Sequence, residues 1–123
     1  MDIVISPTSD APLYQQIFDQ VSAQIIKGQL PSGFCLPPIR TIAKELRISV
    51  ITIKRAWEEL ERAGFIYTMV GKGCFVALLS PETLQGKRSL LANEKLSKDI
   101  EYYKSLGLTL AEIVALVKRN FEE

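Results

Sequence analysis

Basic side chains are concentrated in the middle of the chain, where they could bind a polyanion. Residues 38–76 carry seven Lys or Arg against four Asp or Glu, whereas residues 77–123 carry seven of each. This local excess matters because the whole chain has a net charge of only +1. Lys and Arg bind phosphate, and hydroxyl, cationic and apolar side chains can distinguish base edges. The charge distribution therefore favours a nucleic-acid partner.

The residues suited to such contacts fall in three short segments of this basic region. They are Arg40, Thr41, Lys44, Arg47, Ser49, Val50, Ile51, Thr52, Lys54, Arg55, Gly71, Lys72 and Gly73. Among them, Ile51 could contact a thymine methyl, and Lys54 could reach guanine or phosphate. Lys72 could contact phosphate or enter the minor groove. Ordinary exposure of an isolated apolar residue is the alternative for Ile51, and a solvated turn lysine is the alternative for Lys72.

The spacing of the apolar residues predicts two consecutive helices that would position these side chains. A second helix is expected over Ile39–Arg47, and a third follows Ser49. The Ser49 hydroxyl can accept a backbone N–H from the first turn of the third helix, as an N-cap does. Ile48 and Ile53 lie at the positions of a hydrophobic staple, which fixes the angle at which the chain enters a helix. The sequence therefore predicts a helix-turn-helix.

The third helix should bury one face and be followed by a hairpin. Ile53, Ala56, Trp57, Leu60 and Ala63 recur at spacings of three and four, so they are predicted to form its core face. Trp57 is accordingly assigned to the core rather than to base stacking. After Gly64, apolar segments over 65–70 and 74–77 flank Gly71-Lys72-Gly73, a glycine-rich turn. A helix-turn-helix followed by such a hairpin is the layout of a winged helix, which docks on duplex DNA.

The residues before the helix-turn-helix predict a first helix and two short strands. Leu13, Ile17, Val21 and Ile25 recur every four residues, and Gly28 can end the helix that they indicate. Residues 3–5 are expected to form a short edge strand, and a brief strand is expected around residues 34–36. Residues 1–79 are thus assigned to the winged helix-turn-helix domain.

Residues 80–123 are predicted to form a short helical dimerisation region. Pro81 and Gly86 indicate a linker, and a helix is expected over residues 90–106 with Gly107 at its end. A capping box over residues 109–112 begins a last helix. Two short helices leave apolar faces uncovered, so we expect them to pair with a second copy of the chain. The residues assigned to dimerisation are Leu96, Ile100, Tyr103, Ile113, Leu116, Val117 and Phe121. Folding of the tail back onto its own winged helix is the alternative.

Several other classes of protein are disfavoured by the composition. The chain has no histidine, which removes the commonest general base and a frequent metal ligand, so neither an enzyme, a metal site nor a cofactor is expected. Cys35 and Cys74 lie far apart without metal-binding spacing and are predicted to be buried, reduced thiols. No apolar run approaches the length of a membrane span, and a basic, hydrophobic signal segment is not evident. A cytoplasmic protein without membrane contacts is expected.

Four ordered motifs together resemble a known family. They are Pro12-Leu13-Tyr14-Gln15-Gln16-Ile17, Leu36-Pro37-Pro38-Ile39-Arg40-Thr41-Ile42-Ala43, Thr52-Ile53-Lys54-Arg55-Ala56-Trp57-Glu58-Glu59-Leu60-Glu61-Arg62-Ala63-Gly64-Phe65-Ile66 and Gly71-Lys72-Gly73-Cys74-Phe75-Val76. Over about residues 11–77 the chain is similar to GntR-family transcriptional regulators. Its short tail resembles the YtrA-like branch, which implies a homodimeric repressor, often of operons that encode ABC transporters. The resemblance also implies operator contacts by Arg40, Thr52, Lys54 and residues 71–73.

Three positions depart from the pattern of that family. Pro38 stands where serine is frequent, Arg47 where glycine is frequent, and Val50 where an arginine usually follows the cap of the third helix. An arginine at this position could bind guanine, and having Val50 instead removes about 1–3 kcal/mol of base discrimination. The preferred operator should therefore differ at the base pair that such an arginine would contact. Arg47 could instead supply a phosphate contact.

These features together predict a mainly α fold with a small β-hairpin, in which a winged helix-turn-helix precedes a two-helix dimerisation tail. The expected function is sequence-specific repression through an inverted-repeat operator on double-stranded DNA, bound by a homodimer. A small-molecule effector of unidentified class is compatible with the sequence. The alternative function is a winged-helix module that binds protein and not DNA.

Overall fold

Five helices and one antiparallel hairpin form along the chain. The computed structural model describes all residues, Met1–Glu123, and divides into two units, Met1–Pro81 and Glu82–Glu123. The elements are α1 Leu13–Ile26, α2 Ile39–Leu46, α3 Val50–Arg62, β1 Ile66–Met69, β2 Gly73–Val76, α4 Pro81–Ser105 and α5 Leu110–Glu122. The prediction of a mainly α fold with one small hairpin is confirmed. None of these helices combines the length and the apolar character needed to span a membrane.

Helix α1 forms where the four-residue apolar spacing predicted it. Ile17, Val21 and Ile25 are buried, and α1 packs against α3. Pro12 precedes the first helical residue, and Gly28 follows the last turn with φ of +80°. A positive φ is easily adopted only by glycine, so Gly28 ends the helix as expected.

The expected strand over residues 3–5 is absent, and the prediction was wrong for a specific reason. The backbone of this segment bonds to glutamine side chains of α1 and not to another strand. The Gln20 side chain accepts from the Val4 N–H at 2.8 Å and donates to the Val4 carbonyl at 2.7 Å. Gln16 bonds in the same two-way manner to Ser6. Four helical residues rise about 6 Å and two extended residues about 6.6 Å, so the two spacings match.

The hairpin continues into a third, very short pairing along its second edge. Strands β1 and β2 pair with Ile66 opposite Val76 and Met69 opposite Gly73. On the other edge of β2, Cys35 lies opposite Phe75, and the Leu36 N–H donates to the Cys74 carbonyl at 2.9 Å. The segment expected as a brief strand is therefore paired, which fixes the base of the hairpin to the residues just before α2.

One apolar core joins α1, α2, α3 and the hairpin. Trp57 is 4% exposed, which confirms its assignment to the core. The Phe18 and Phe65 rings meet edge to face with centroids 6.2 Å apart. The other core residues are Ile17, Val21, Ile25, Leu30, Leu36, Ile42, Ala43, Ile53, Ala56, Leu60, Ile66 and Val76.

Helix α4 begins earlier than the sequence suggested, because the expected linker is helical. Pro81 is the first helical residue, a position where its missing N–H costs no hydrogen bond and its fixed φ suits the helix. Gly86 lies within the helix in an exposed position. At the other end, Gly107 has φ of +83°, and the Leu108 N–H donates to the Tyr103 carbonyl, as the sequence led us to expect.

Helix α5 begins with the predicted capping box. The Thr109 hydroxyl accepts from the Glu112 N–H at 3.2 Å, and the Glu112 carboxylate accepts from the Thr109 N–H at 3.0 Å. The Thr109 N–H and, to a smaller extent, the Thr109 hydroxyl stabilise the charged carboxylate and so lower the pKa of Glu112. The two bonds satisfy N–H groups that an uncapped helix would leave open.

Candidate nucleic-acid interface

The turn between α2 and α3 contains Arg47, Ile48 and Ser49, and its direction depends on a left-handed Arg47. This residue has φ of +58° and ψ of +44°, the one positive φ in the chain outside glycine. A residue with a Cβ pays about 1–2 kcal/mol in this conformation, which glycine adopts without that cost. The Arg47 side chain is exposed. The strained turn therefore presents a cation beside the start of α3.

Ser49 caps α3, as predicted. Its hydroxyl accepts from the Thr52 N–H at 3.2 Å, and the two hydroxyl oxygens lie 2.8 Å apart. Both hydroxyls are thus engaged with each other in the free protein. The cap fixes the first turn of α3, so that the residues after it hold a defined orientation.

The outward face of α3 begins with apolar residues. Ile51 is 78% exposed and Val50 is 42% exposed, whereas Ile53 is fully buried. Lys54 is exposed one turn after Ile51. An uncovered isoleucine at the start of a helix, with a cation beside it, can approach a thymine methyl while the cation approaches guanine or phosphate.

Arg55 was assigned to the same face, and the structure adds a partner that the sequence did not reveal. Its guanidinium carbon lies 3.8 Å from the centroid of the Tyr14 ring on α1. Such stacking is typical of a cation–π pair. Arg55 forms no ion pair, and the carboxylate of Glu59, four residues further along α3, bonds to Arg62 at 2.6 Å.

Helix α2 and the hairpin each contribute one cation to a shared cleft. Arg40, Thr41 and Lys44 are exposed on α2, opposite the buried Ile42 and Ala43. An open cleft of about 340 Å³ lies between the start of α2 and the hairpin. Its lining is formed by Cys35, Leu36, Pro37, Pro38, Ile39, Arg40, Trp57, Lys72, Gly73 and Cys74. The fold therefore brings Arg40 and Lys72 to opposite sides of one depression.

The tip of the hairpin is a tight turn that exposes Lys72. The Lys72 N–H donates to the Met69 carbonyl at 2.9 Å, and Gly71 and Gly73 have φ of +78° and +118°. These positive values are why glycine occupies both positions. Val70 at the tip is 99% exposed, although the sequence placed it in an apolar segment of the hairpin. Its position just before the Gly-Lys-Gly turn was the available signal.

The two cysteines are less buried than predicted. Both are free thiols, with Cys35 exposed and Cys74 half-buried. Cys35 lies on the edge segment that pairs with β2, where few residues cover it. The Cys74 sulfur is 3.4 Å from the Thr68 hydroxyl. No cluster of three or more His, Cys, Asp or Glu residues suits a metal ion.

The residues assigned to dimerisation differ in how accessible they are. Leu96, Val117 and Phe121 are exposed, Phe121 at 89%, whereas Ile113 is only 7% exposed. Ile100, Tyr103 and Leu116 are half-buried. Helix α5 also carries an outer stripe that the sequence analysis did not separate from its inner face. The stripe contains Leu110, Val114, Val117 and Phe121, at spacings of four, three and four.

The helix-turn-helix, the exposed face of α3 and the hairpin define a winged-helix DNA-binding protein. A family model described as bacterial regulatory proteins of the gntR family matches residues 13–76. The chain therefore belongs to the GntR family of transcriptional regulators, and it is not an enzyme. This agrees with the resemblance drawn from its motifs.

Individual relatives extend the similarity beyond the winged helix. The transcriptional repressor YtrA of Bacillus subtilis is 30% identical over 116 residues, which cover 94% of this chain and 89% of YtrA. A GntR-family regulator from Listeria monocytogenes has a similar structure, with a TM-score of 0.70 and 27% identity over 94% of this chain and 98% of that one. The DNA-binding domain of AraR in complex with operator ORR3 matches 63% of this chain and 93% of its own, with a TM-score of 0.53 and 25% identity. The similarity to YtrA reaches into the helical tail, as the YtrA-like branch requires.

Proposed function

We propose that the chain is a cytoplasmic repressor that binds an inverted-repeat operator as a homodimer. The observation that carries the proposal is the capped N-terminus of α3, where Ile51 is 78% exposed between the Arg47 turn and Lys54. The N-terminal residues of the second helix in a helix-turn-helix are those that reach base edges in the major groove. The AraR domain, of similar structure, is bound to operator DNA.

The assigned residues divide by the kind of DNA group that each can reach. Val50 and Ile51 would contact thymine methyls, while Thr52 and Lys54 would contact polar base edges. Phosphate contacts are assigned to the exposed residues on α2, in the turn and on the hairpin, where a cation positions the protein without reading sequence. These are Arg40, Thr41, Lys44, Arg47, Lys72 and the backbone of Gly71 and Gly73. Ser49 would act by holding the first turn of α3.

The outer stripe of α5 supports the homodimer. Its four apolar residues repeat at the heptad spacing through which helices pair. A second copy would cover them, and two-fold symmetry would place two α3 helices on successive half-sites about 34–36 Å apart. Two substitutions on α5 test this step by light scattering. Phe121→Asp should shift the chain toward a monomer, whereas Arg119→Asp, on the opposite side of α5 from the stripe, should leave the dimer intact. A dimer that tolerates Phe121→Asp would contradict this assignment.

Selection of bound sequences from a random duplex pool tests operator recognition. We expect an inverted repeat to be enriched, since each half-site is read by one protomer. A direct repeat, or enrichment of no sequence, would contradict the proposal. The second outcome, together with binding of the chain to protein partners, would favour the alternative of a winged-helix protein-interaction module.

Two lysine variants test the division between base and phosphate contacts on the selected duplex. Lys54→Ala should relax base preference, whereas Lys72→Ala should weaken binding to all duplexes by similar factors. Fluorescence anisotropy on the selected duplex and on single-base variants of it measures both effects. Equal, sequence-blind losses from the two substitutions would refute the assigned roles.

A further inference from the structure

We propose that Tyr14 is a positioning residue for DNA binding, because it holds the Arg55 guanidinium as a contact to the phosphate backbone. This inference rests on the proposed operator binding and adds a role for α1, which no contact assigned above involves. Its basis is the stack of the Arg55 guanidinium on the Tyr14 ring, at 3.8 Å from the centroid.

Arg55 lies on the side of α3 that faces away from the core. It follows Ile51 by four residues and Thr52 by three, and residues at these spacings share one face of a helix. Ala56 and Trp57, the next two residues, are buried and mark the opposite side. Arg55 is therefore placed beside the residues assigned to base contact, one turn further from the helix N-terminus.

The guanidinium has donors available for an anion. A guanidinium carries five N–H donors in its plane, and stacking on a ring occupies its flat face while leaving those donors at the edge. Arg55 takes part in neither the Arg62–Glu59 nor the Lys95–Asp99 ion pair. A guanidinium that is stacked and has no carboxylate partner can bind a phosphate without first breaking a salt bridge.

The Tyr14 ring is a fixed platform because the start of α1 is held by its neighbours. The Gln16 side chain donates to the Ala11 carbonyl at 3.0 Å and to the Ser6 carbonyl at 3.1 Å. Helix α1 also packs directly on α3. Restricting a long side chain before it binds removes part of the entropy that ordering it on DNA would otherwise cost.

The test uses the full-length chain and a duplex selected by the wild-type protein. Arg55→Gln should reduce the slope of log affinity against log salt by about 0.9 per bound protomer, as expected for one lost phosphate contact. Tyr14→Leu should weaken binding about two- to fivefold per protomer, the range expected for a cation–π pair at an exposed site. In the Arg55→Gln background, Tyr14→Leu should have no further effect on affinity. Tyr14→Phe, which keeps the ring, should bind as the wild type does.

Each alternative result has a distinct meaning. An unchanged salt slope for Arg55→Gln would overturn the proposal, and this measurement does not depend on the stability of any Tyr14 variant. Equal losses from Tyr14→Leu in both backgrounds would show a general structural effect and would also overturn it. If the wild-type chain bound no duplex in a salt-dependent manner, the proposed function itself would fail. If the wild-type chain bound DNA normally but the effects of the Tyr14 and Arg55 substitutions on affinity were independent, the positioning role of Tyr14 would be refuted and the proposed function would stand.

Discussion

Replacing Ile51 by alanine should weaken operator binding while leaving the fold intact. The side chain is 78% exposed in the free protein, so its loss removes little buried surface, and the free energy of unfolding should change by no more than about 0.5 kcal/mol. On DNA the same side chain would be covered. The substitution therefore separates binding from stability.

The size of the binding effect follows from the apolar surface that DNA can cover. Isoleucine has three more carbon atoms than alanine, which correspond to about 2.4 kcal/mol on complete burial at roughly 0.8 kcal/mol each. A groove wall covers a side chain from one direction, so about half of that value, roughly 1 kcal/mol, is expected per half-site. This corresponds to a loss of about fivefold in affinity per half-site. The salt dependence should stay as in the wild type, because no charge is removed.

The assay for Ile51 pairs the protein substitution with a change in the DNA. Replacing a thymine in the half-site by uracil deletes only the C5-methyl group, so the two changes form a double-mutant cycle read by fluorescence anisotropy. The isoleucine and the methyl should be coupled at one base position, where the second change adds little to the first. Losses that add independently at every thymine would refute the assigned methyl contact.

Three further substitutions test other parts of the structure. Arg47→Gly should raise the free energy of unfolding by about 0.5–1 kcal/mol, because it relieves the strain of the left-handed conformation at some cost in chain entropy. It should also reduce the slope of log affinity for DNA against log salt, because a cation is lost. Urea unfolding measures the first effect and anisotropy the second, and a variant less stable than the wild type would contradict the strain at Arg47. Gly86→Ala should stabilise α4 by about 0.5–1 kcal/mol, because the added Cβ meets no atom within 4 Å; thermal unfolding that shows a loss would contradict this. The pKa of Glu112 is lower in the folded chain than in the unfolded one, so its contribution to the stability of α5 is complete above the usual glutamate value of about 4.3 and is lost as the pH falls below it. As the pH falls, the protection of the Thr109 amide from hydrogen exchange, taken relative to the exchange rate of an unstructured amide at the same pH, should therefore decrease more in the wild type than in Glu112→Gln, and equal changes in protection would contradict the role of the carboxylate.

Local signals in the sequence were sufficient to predict the starts of two helices and the turn of the hairpin. Ser49 as an N-cap, the capping box at Thr109 and the glycine-rich turn at Gly71 depend on residues within a few positions of each other. Their hydrogen bonds and backbone angles are largely set before tertiary packing, which is why the sequence predicted them. The burial of Trp57 followed from helical spacing alone.

Features that depend on distant residues or on atypical hydrogen bonds could not be predicted in this way. The stack of Arg55 on Tyr14 joins residues of α1 and α3 that lie 41 positions apart in the sequence, and it requires the packed arrangement of the two helices. The bonds from Gln20 to Val4 replace strand pairing by side-chain pairing, which apolar periodicity does not reveal. Pro81 was misinterpreted as part of a linker because proline both interrupts helices and begins them.

The central claim, sequence-specific DNA binding through α3 and the hairpin, is tested most directly by one salt titration. The affinity of the full-length chain is measured by anisotropy for its selected duplex and for a scrambled duplex of equal composition. We expect both affinities to fall linearly on logarithmic axes as salt rises, with the selected duplex bound at least about 10³-fold more tightly near physiological salt. Equal affinities for the two duplexes, or binding that salt does not weaken, would contradict the claim.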